Sequence, residues 1–185
     1  MPNNYINTFH QDSFTVRLSN FPRVAESKQT DEKEVDMRIF DYFVKNVVIP
    51  DMSQETVQVD FMGGVRYQPI TRANNENPQL TIEFKAEENL RNYHMLFSYI
   101  KKMRYGDVPV EKQYQNTIKS IFIDTLDNQG RKLGRLEFTN AIPVSLGSLT
   151  LTVGNSEELS FPVSFIYEEF NVTLYDEDGN ILYES

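Results

Sequence analysis

Between residues 133 and 175 the chain reads LGRLEFTNAIPVSLGSLTLTVGNSEELSFPVSFIYEEFNVTLY, and this cadence fits strands joined by tight corners. Alternation over residues 133–138 predicts a strand that ends at a proline-containing corner over residues 141–147. A short strand is predicted over residues 149–153, then a polar turn, then a long strand ending in aromatic and acidic residues. In that last strand Phe161, Val163, Phe165 and Tyr167 use odd positions, whereas Phe170, Val172 and Leu174 use even ones. One change of parity near Glu168 and Glu169 predicts a bulge or a swap of faces, because side chains alternate with a period of two.

The rest of the chain is read by the same rule. Residues 1–12 read as a flexible lead and 13–19 as a half-buried strand carrying Phe14, Val16 and Leu18 on one side. The charged stretch over residues 26–38 reads as an exposed acidic loop. Residues 38–49 are ambiguous: Ile39, Tyr42 and Phe43 fall at helical spacing, but Pro50 pushes the preceding Val-Val-Ile toward extended backbone. Residues 55–68 read as a strand interrupted by Gly63 and Gly64, where a bulge, a bend or a close backbone approach is expected. Residues 69–78 read as a hairpin loop, and Leu80, Ile82 and Phe84 point inward from the strand after it.

One helix is expected over residues 87–104. Leu90, Tyr93, Phe97 and Ile100 form its apolar stripe, Glu87 and Glu88 its first turn, and Lys101, Lys102 and Arg104 its last, as the helix dipole favours. No capping residue directly precedes Glu87. Residues 117–126 read as a strand with apolar side chains on both faces, Ile118, Phe122 and Leu126 against Ile121 and Ile123. A turn at 127–130 returns it as a hairpin, and residues 170–185 read as a terminal hairpin. The fold class expected is mainly β: one domain over residues 1–185, an antiparallel β-sandwich or open barrel with one flanking helix.

Composition narrows function. The 185 residues carry no cysteine, so disulfides and thiolate metal sites are excluded. No apolar run approaches a membrane span, and the first residues show no secretory signal. A net charge of −9 argues against a broad phosphate-gripping surface; it reads first as a device for solubility, and it is also compatible with a wall past which a polyanion slides. His10 and His94 have no second ligand at metal spacing. Glu157-Glu158 and Glu168-Glu169 put neighbours on opposite strand faces, so no acid–base pair converges. The run from Asp176 to Asn180 reads as a turn, since its glycine falls too early for a calcium loop. Gly63-Gly64 opens no helix and so makes no phosphate cradle. No cofactor or metal is expected.

The order of strand, acidic loop, Val-Ile-Pro-Asp, Phe-Met-Gly-Gly, Leu-Thr-Ile-Glu-Phe, an Asn-Leu-Arg-Asn-Tyr helix and the Ala-Ile-Pro-Val-Ser-Leu-Gly corner resembles the tail tube proteins of contractile-tailed bacteriophages. The resemblance runs from Val47 to about Leu174. It implies a non-enzymatic structural subunit in which six protomers form a ring. Inner-sheet strands then join around a DNA-conducting channel, and a long hairpin within residues 43–78 reaches the next ring. Pro50, Gly63, Gly64 and Pro69 would shape that hairpin, and Asp60, Asp124 and Glu137 would face the channel. The implied partners are further copies, a sheath and a baseplate; no membrane is implied. The implied location is the virion tail, assembled in the host cytoplasm. A baseplate or tube-initiator protein of the same fold, the related type VI secretion tubes, and a monomeric β-barrel holding a ligand stay open as alternatives. The acidic loop and the last ten residues depart from the family pattern.

Overall fold

The computed structural model describes residues 13–19, 38–50, 56–69, 78–104, 118–153, 158–176 and 179–184. The expected lead over residues 1–12, nearly all of the acidic loop and most of the 69–78 loop lie outside them. In chain order the elements are β1 (Phe14–Ser19), α1 (Arg38–Tyr42), β2 (Val44–Val48), β3 (Thr56–Phe61), β4 (Gly64–Pro69) and β5 (Gln79–Lys85). There follow α2 (Arg91–Arg104), β6 (Ile118–Leu126), β7 (Lys132–Leu146), β8 (Ser160–Ile166), β9 (Glu169–Tyr175) and β10 (Ile181–Glu184).

Two antiparallel sheets share strand β7. Its first half pairs with β6 and β9, with β1 and β10 beyond them; its second half pairs with β8, followed by β5 and β2. Each sheet turns an apolar face inward. Val16 and Leu18 of β1, Ile121 and Ile123 of β6 and Phe138 of β7 are buried on one side. Leu80, Ile82 and Phe84 of β5 and Phe161, Val163 and Phe165 of β8 are buried on the other. Register aligns these rows: Val16 lies opposite Ile123, Ile121 opposite Phe138, Ile82 opposite Val163 and Phe84 opposite Phe161. Burying a side chain of this size contributes about 1.5–3 kcal/mol, so the rows fix the registers.

The proline corner takes a form different from the expected one. Strand β7 runs unbroken through Pro143 and changes sheets at Asn140, whose φ is 51°. That left-handed residue flips the parity, so Phe138 before it and Ala141 after it both point into the core. Asparagine tolerates this backbone better than most residues. Here its side-chain amide also donates to the Glu168 carboxylate, while the Glu168 N–H donates to the Thr139 carbonyl at 3.0 Å. The parity change near Glu168 is the matching event on the other chain segment: β8 belongs to one sheet and β9 to the other. The strand expected over residues 149–153 is absent; that stretch is irregular. Gly147 precedes it because its N–H reaches the Pro162 carbonyl at 2.7 Å, and a Cβ there would sit 2.5 Å from the Pro162 ring.

The helices also correct the sequence reading. In α1 the anchor is Phe40, edge-on to Phe84 at 5.6 Å, whereas Tyr42 is 76% exposed. Helix α2 starts at Arg91, four residues later than expected, because Leu90 takes a φ of 53°. Its cap comes from within: buried Asn92 accepts from the N–H groups of Glu87 (3.3 Å) and Tyr93 (2.9 Å) and donates to the Lys85 carbonyl at 2.8 Å. Glu87 therefore precedes the helix and pairs with Arg91. The buried side is Asn92, Leu96 and Tyr99, one step round from the expected stripe; Leu90 and Phe97 are exposed. Burial pushes the Tyr99 hydroxyl up to about 12. Strand β6 is two-sided only at Ile118; Phe122 and Leu126 are half-buried on the polar face.

Candidate assembly surfaces

Among the described residues, strands β3 and β4 pair only with each other and form a two-stranded sheet apart from the sandwich. The expected interrupted strand is thus a hairpin that reverses at Met62 and Gly63, whose φ angles are 36° and 85°. Two central residues with positive φ make the turn whose twist matches paired strands, and glycine takes that backbone freely. Gly64 opens β4 opposite Phe61, and Pro69 closes it opposite Thr56. Pro50 lies elsewhere, just past β2. The reversal puts Val57 and Val59 on one face with Arg66 and Gln68, and Gln58 and Asp60 on the other with Tyr67 and Val65. Val57, Val59, Val65 and Tyr67 are exposed, and Met62 at the tip is 96% exposed. An isolated two-stranded hairpin is marginal in water, and among the described residues nothing covers these side chains.

Open edges make a second surface. Among the described residues, the sheet of β1, β6, β7, β9 and β10 ends at β1 on one side and β10 on the other. Strand β10 exposes Ile181, Leu182 and Tyr183. It is held to β9 through a turn in which Asp176 accepts from the Asn180 N–H at 2.7 Å and from its Nδ2 at 3.0 Å. That carboxylate is thereby committed to the turn, and no group of three metal-ligating side chains forms among the described residues.

The outward face of the same sheet is polar, and it carries two of the three acids singled out in the sequence. Asp124 and Glu137 sit on neighbouring strands β6 and β7; Asp60 lies on the separate hairpin, so the three do not converge. Asp124 is only 5% exposed. It accepts from Arg135 at 2.7 and 3.2 Å and pairs with Lys132 at 2.9 Å. Burial pushes its carboxyl up, but the hydrogen bonds from Arg135 and Lys132 outweigh that and hold it below the usual carboxylate range. Arg135 also lies over the Phe122 ring at 4.6 Å, and Lys132 over Tyr175 at 5.8 Å. Glu137 accepts from Ser120 Oγ at 2.8 Å. The patch therefore reads as charge-compensated rather than acidic. Arg135 and Lys132 escaped the sequence reading, and Phe122 was read only as an apolar strand residue. Counting back from the 127–130 turn would have set Asp124 opposite Leu133; the actual register, shifted between Thr125 and Leu126, sets it opposite Arg135.

A sequence profile of the family described as "Phage tail tube protein" matches residues 9–173. No curated protein sequence matches the chain. Among solved structures, the anti-feeding prophage cap (AFP tube terminating cap) is 14% identical with a TM-score of 0.60, covering 91% of this chain and 92% of that one. The sheath-tube complex of an extracellular contractile injection system (PVC) in its extended state gives 14% identity, a TM-score of 0.60 and coverage of 92% and 94%. The PVC sheath/tube terminator in the extended state gives 15%, 0.60, and coverage of 90% and 96%. At these identities the likeness is one of fold.

Proposed function

The chain belongs to the phage tail tube protein family and is a structural component of a tail tube; we propose that it assembles as stacked hexameric rings around a channel that conducts DNA. The observation that carries this reading is the β3–β4 hairpin, which stands off the sandwich with Val57, Val59, Val65 and Tyr67 uncovered. In the assembly it lies against the next ring. The free edges of β1 and β10 pair with neighbouring protomers, which removes exposed edges and leaves a head-to-tail contact that propagates. A sheath surrounds the tube, a baseplate seats it, and the tail is put together in the host cytoplasm. The role is mechanical rather than catalytic. Against a ligand-holding monomeric barrel, the space between the sheets is filled by Phe84, Phe138, Phe161 and Phe165.

The polar face of the five-stranded sheet lines the channel in this reading. Glu137 and the compensated Asp124 then belong to the wall, and Asp60 to the junction between rings. If a phage carrying Asp60→Asn and Glu137→Gln ejected DNA at the normal rate, these acids would have no necessary role there. The assembly itself is tested by negative-stain electron microscopy over a concentration series. Tubes or stacked rings with a central hole support the proposal. Single rings would assign a tube-end or initiator role, and a monomer at every concentration would overturn self-assembly.

A further inference from the structure

The solvent face of helix α2 is basic, although the chain as a whole is acidic. Its exposed residues are Arg91, His94, Phe97, Lys101 and Arg104, spaced three, three, four and three apart, so they form one stripe along the axis. No acidic residue occurs within the helix, although the chain as a whole carries a net charge of −9. Among the described residues Arg91 pairs with Glu87, whereas Lys101 and Arg104 make no ion pair. Phe97, in the middle of the stripe, is 47% exposed. It is nonetheless held in place: its ring stacks on Tyr93 at 6.4 Å and 14°, and Tyr93 meets the buried Phe161 edge-on at 5.2 Å.

A braced aromatic side chain flanked by cations has the make-up of a binding hot spot. The ring is already ordered before contact, so little side-chain freedom is lost on binding. The cations select an acidic partner and steer its approach. We propose that this face of α2 is a docking stripe for an acidic amphipathic segment of a different protein, its apolar residue covering Phe97 and its carboxylates meeting Lys101 and Arg104. A nucleic acid fits less well. Its binding draws on many phosphate contacts, and the acidic body repels a polyanion. The choice of a foreign occupant over a second copy rests on the reading that copies join through the hairpin and strand edges; the chemistry of the stripe does not.

The test is fluorescence anisotropy with the full-length chain, kept below the concentration at which it assembles. The probes are a short synthetic peptide with Glu and Leu at helical spacing, its Gln-for-Glu counterpart, its Lys-for-Glu counterpart and a short oligothymidylate. The acidic peptide should bind, with affinity falling as salt rises. Lys101→Glu with Arg104→Glu should weaken it about tenfold, as should Phe97→Ser. The Lys-for-Glu peptide should regain affinity for the doubly reversed variant, which a merely structural effect would not produce. All three side chains are exposed, so the circular dichroism of the variants should match the parent. Equal binding of the Gln peptide, binding unaffected by the substitutions, or preference for the oligonucleotide would overturn the proposal. Loss of self-assembly in the doubly reversed variant would instead assign the stripe to a second copy. Peptide binding by a chain that never forms rings would leave the stripe intact while removing the tube reading.

Discussion

The sandwich and the β3–β4 hairpin are written in the same sequence code and end in opposite environments. Leu80, Ile82 and Phe84 alternate along β5 as Val57 and Val59 do along β3, yet the first set is fully buried and the second exposed. Strand β5 has β2 and β8 beside it and the other sheet beneath it, whereas β3 has only β4 among the described residues. Alternation reports that one face of a strand must be covered; it does not report whether the cover is in the same chain. The sandwich is finished by folding; in the proposed assembly the hairpin is covered by a neighbouring subunit.

Substitutions should separate the two regions sharply. Phe84→Ala empties a site lined by Phe40 and Phe161, and it should cost about 3–5 kcal/mol in urea unfolding. Asp124→Asn leaves Arg135 and Lys132 without their anion and should cost about 2 kcal/mol by the same measurement.

Acid should act on the sandwich in the same direction. Asp124 is held low as described, and Glu83 is held low by the Ser160 hydrogen bond and then by Lys45. Carboxyls with depressed folded values stabilise fully above their unfolded pKa, about 4, and lose that contribution as pH falls through the folded values. The melting temperature should therefore drop below about pH 4, and Asp124→Asn should flatten part of that slope. A melting temperature unchanged between neutrality and pH 3 would contradict this.

Val59→Ser with Tyr67→Ser should change unfolding free energy by no more than about 0.5 kcal/mol while abolishing rings in electron micrographs. Rings that persist in that variant would mean the hairpin is not an assembly contact. Hydrogen exchange offers the gentlest comparison. Amides of β3 and β4 should exchange rapidly in the free chain and become protected in the tube, while those of β6 and β7 stay protected in both.

Much of the sandwich was legible because burial follows local alternation: β1, β5, β6 and β8 fall where the period-two pattern puts them. The swap of sheets between β8 and β9 was legible too, as a change of parity. What escaped was decided by single backbone angles and by distant partners. The positive φ of Leu90 delays α2 and rotates its buried side onto Leu96 and Tyr99, and no pattern of apolar residues announces that. Asn140 lets β7 pass through the proline corner that seemed bound to end it. At the assembly surfaces, Gly63 and Gly64 were visible as a break, but a reversal rather than a bulge depends on Met62 also adopting positive φ. The compensation of Asp124 was hidden because it needs a cross-strand register rather than a composition.

The path of β7 also bears on the order in which the chain folds. From β6 onward each strand finds a partner close by in sequence: β7 follows β6 through a tight turn, and β8, β9 and β10 add to strands just made. Strands β1 and β5 are different: Phe14 must wait for Thr125, more than half the chain later, and Phe84 for Phe161. Closing a long loop costs entropy before any contact repays it, and non-local pairing is slow for that reason. On the ribosome, β1 therefore emerges long before β6 exists, with Val16 and Leu18 exposed in the interval. Local pairing is therefore expected first in the C-terminal half, and the β1 edge cannot be completed before β6 is made. In the proposed ring, a neighbour could pair with that edge only once β6 is in place.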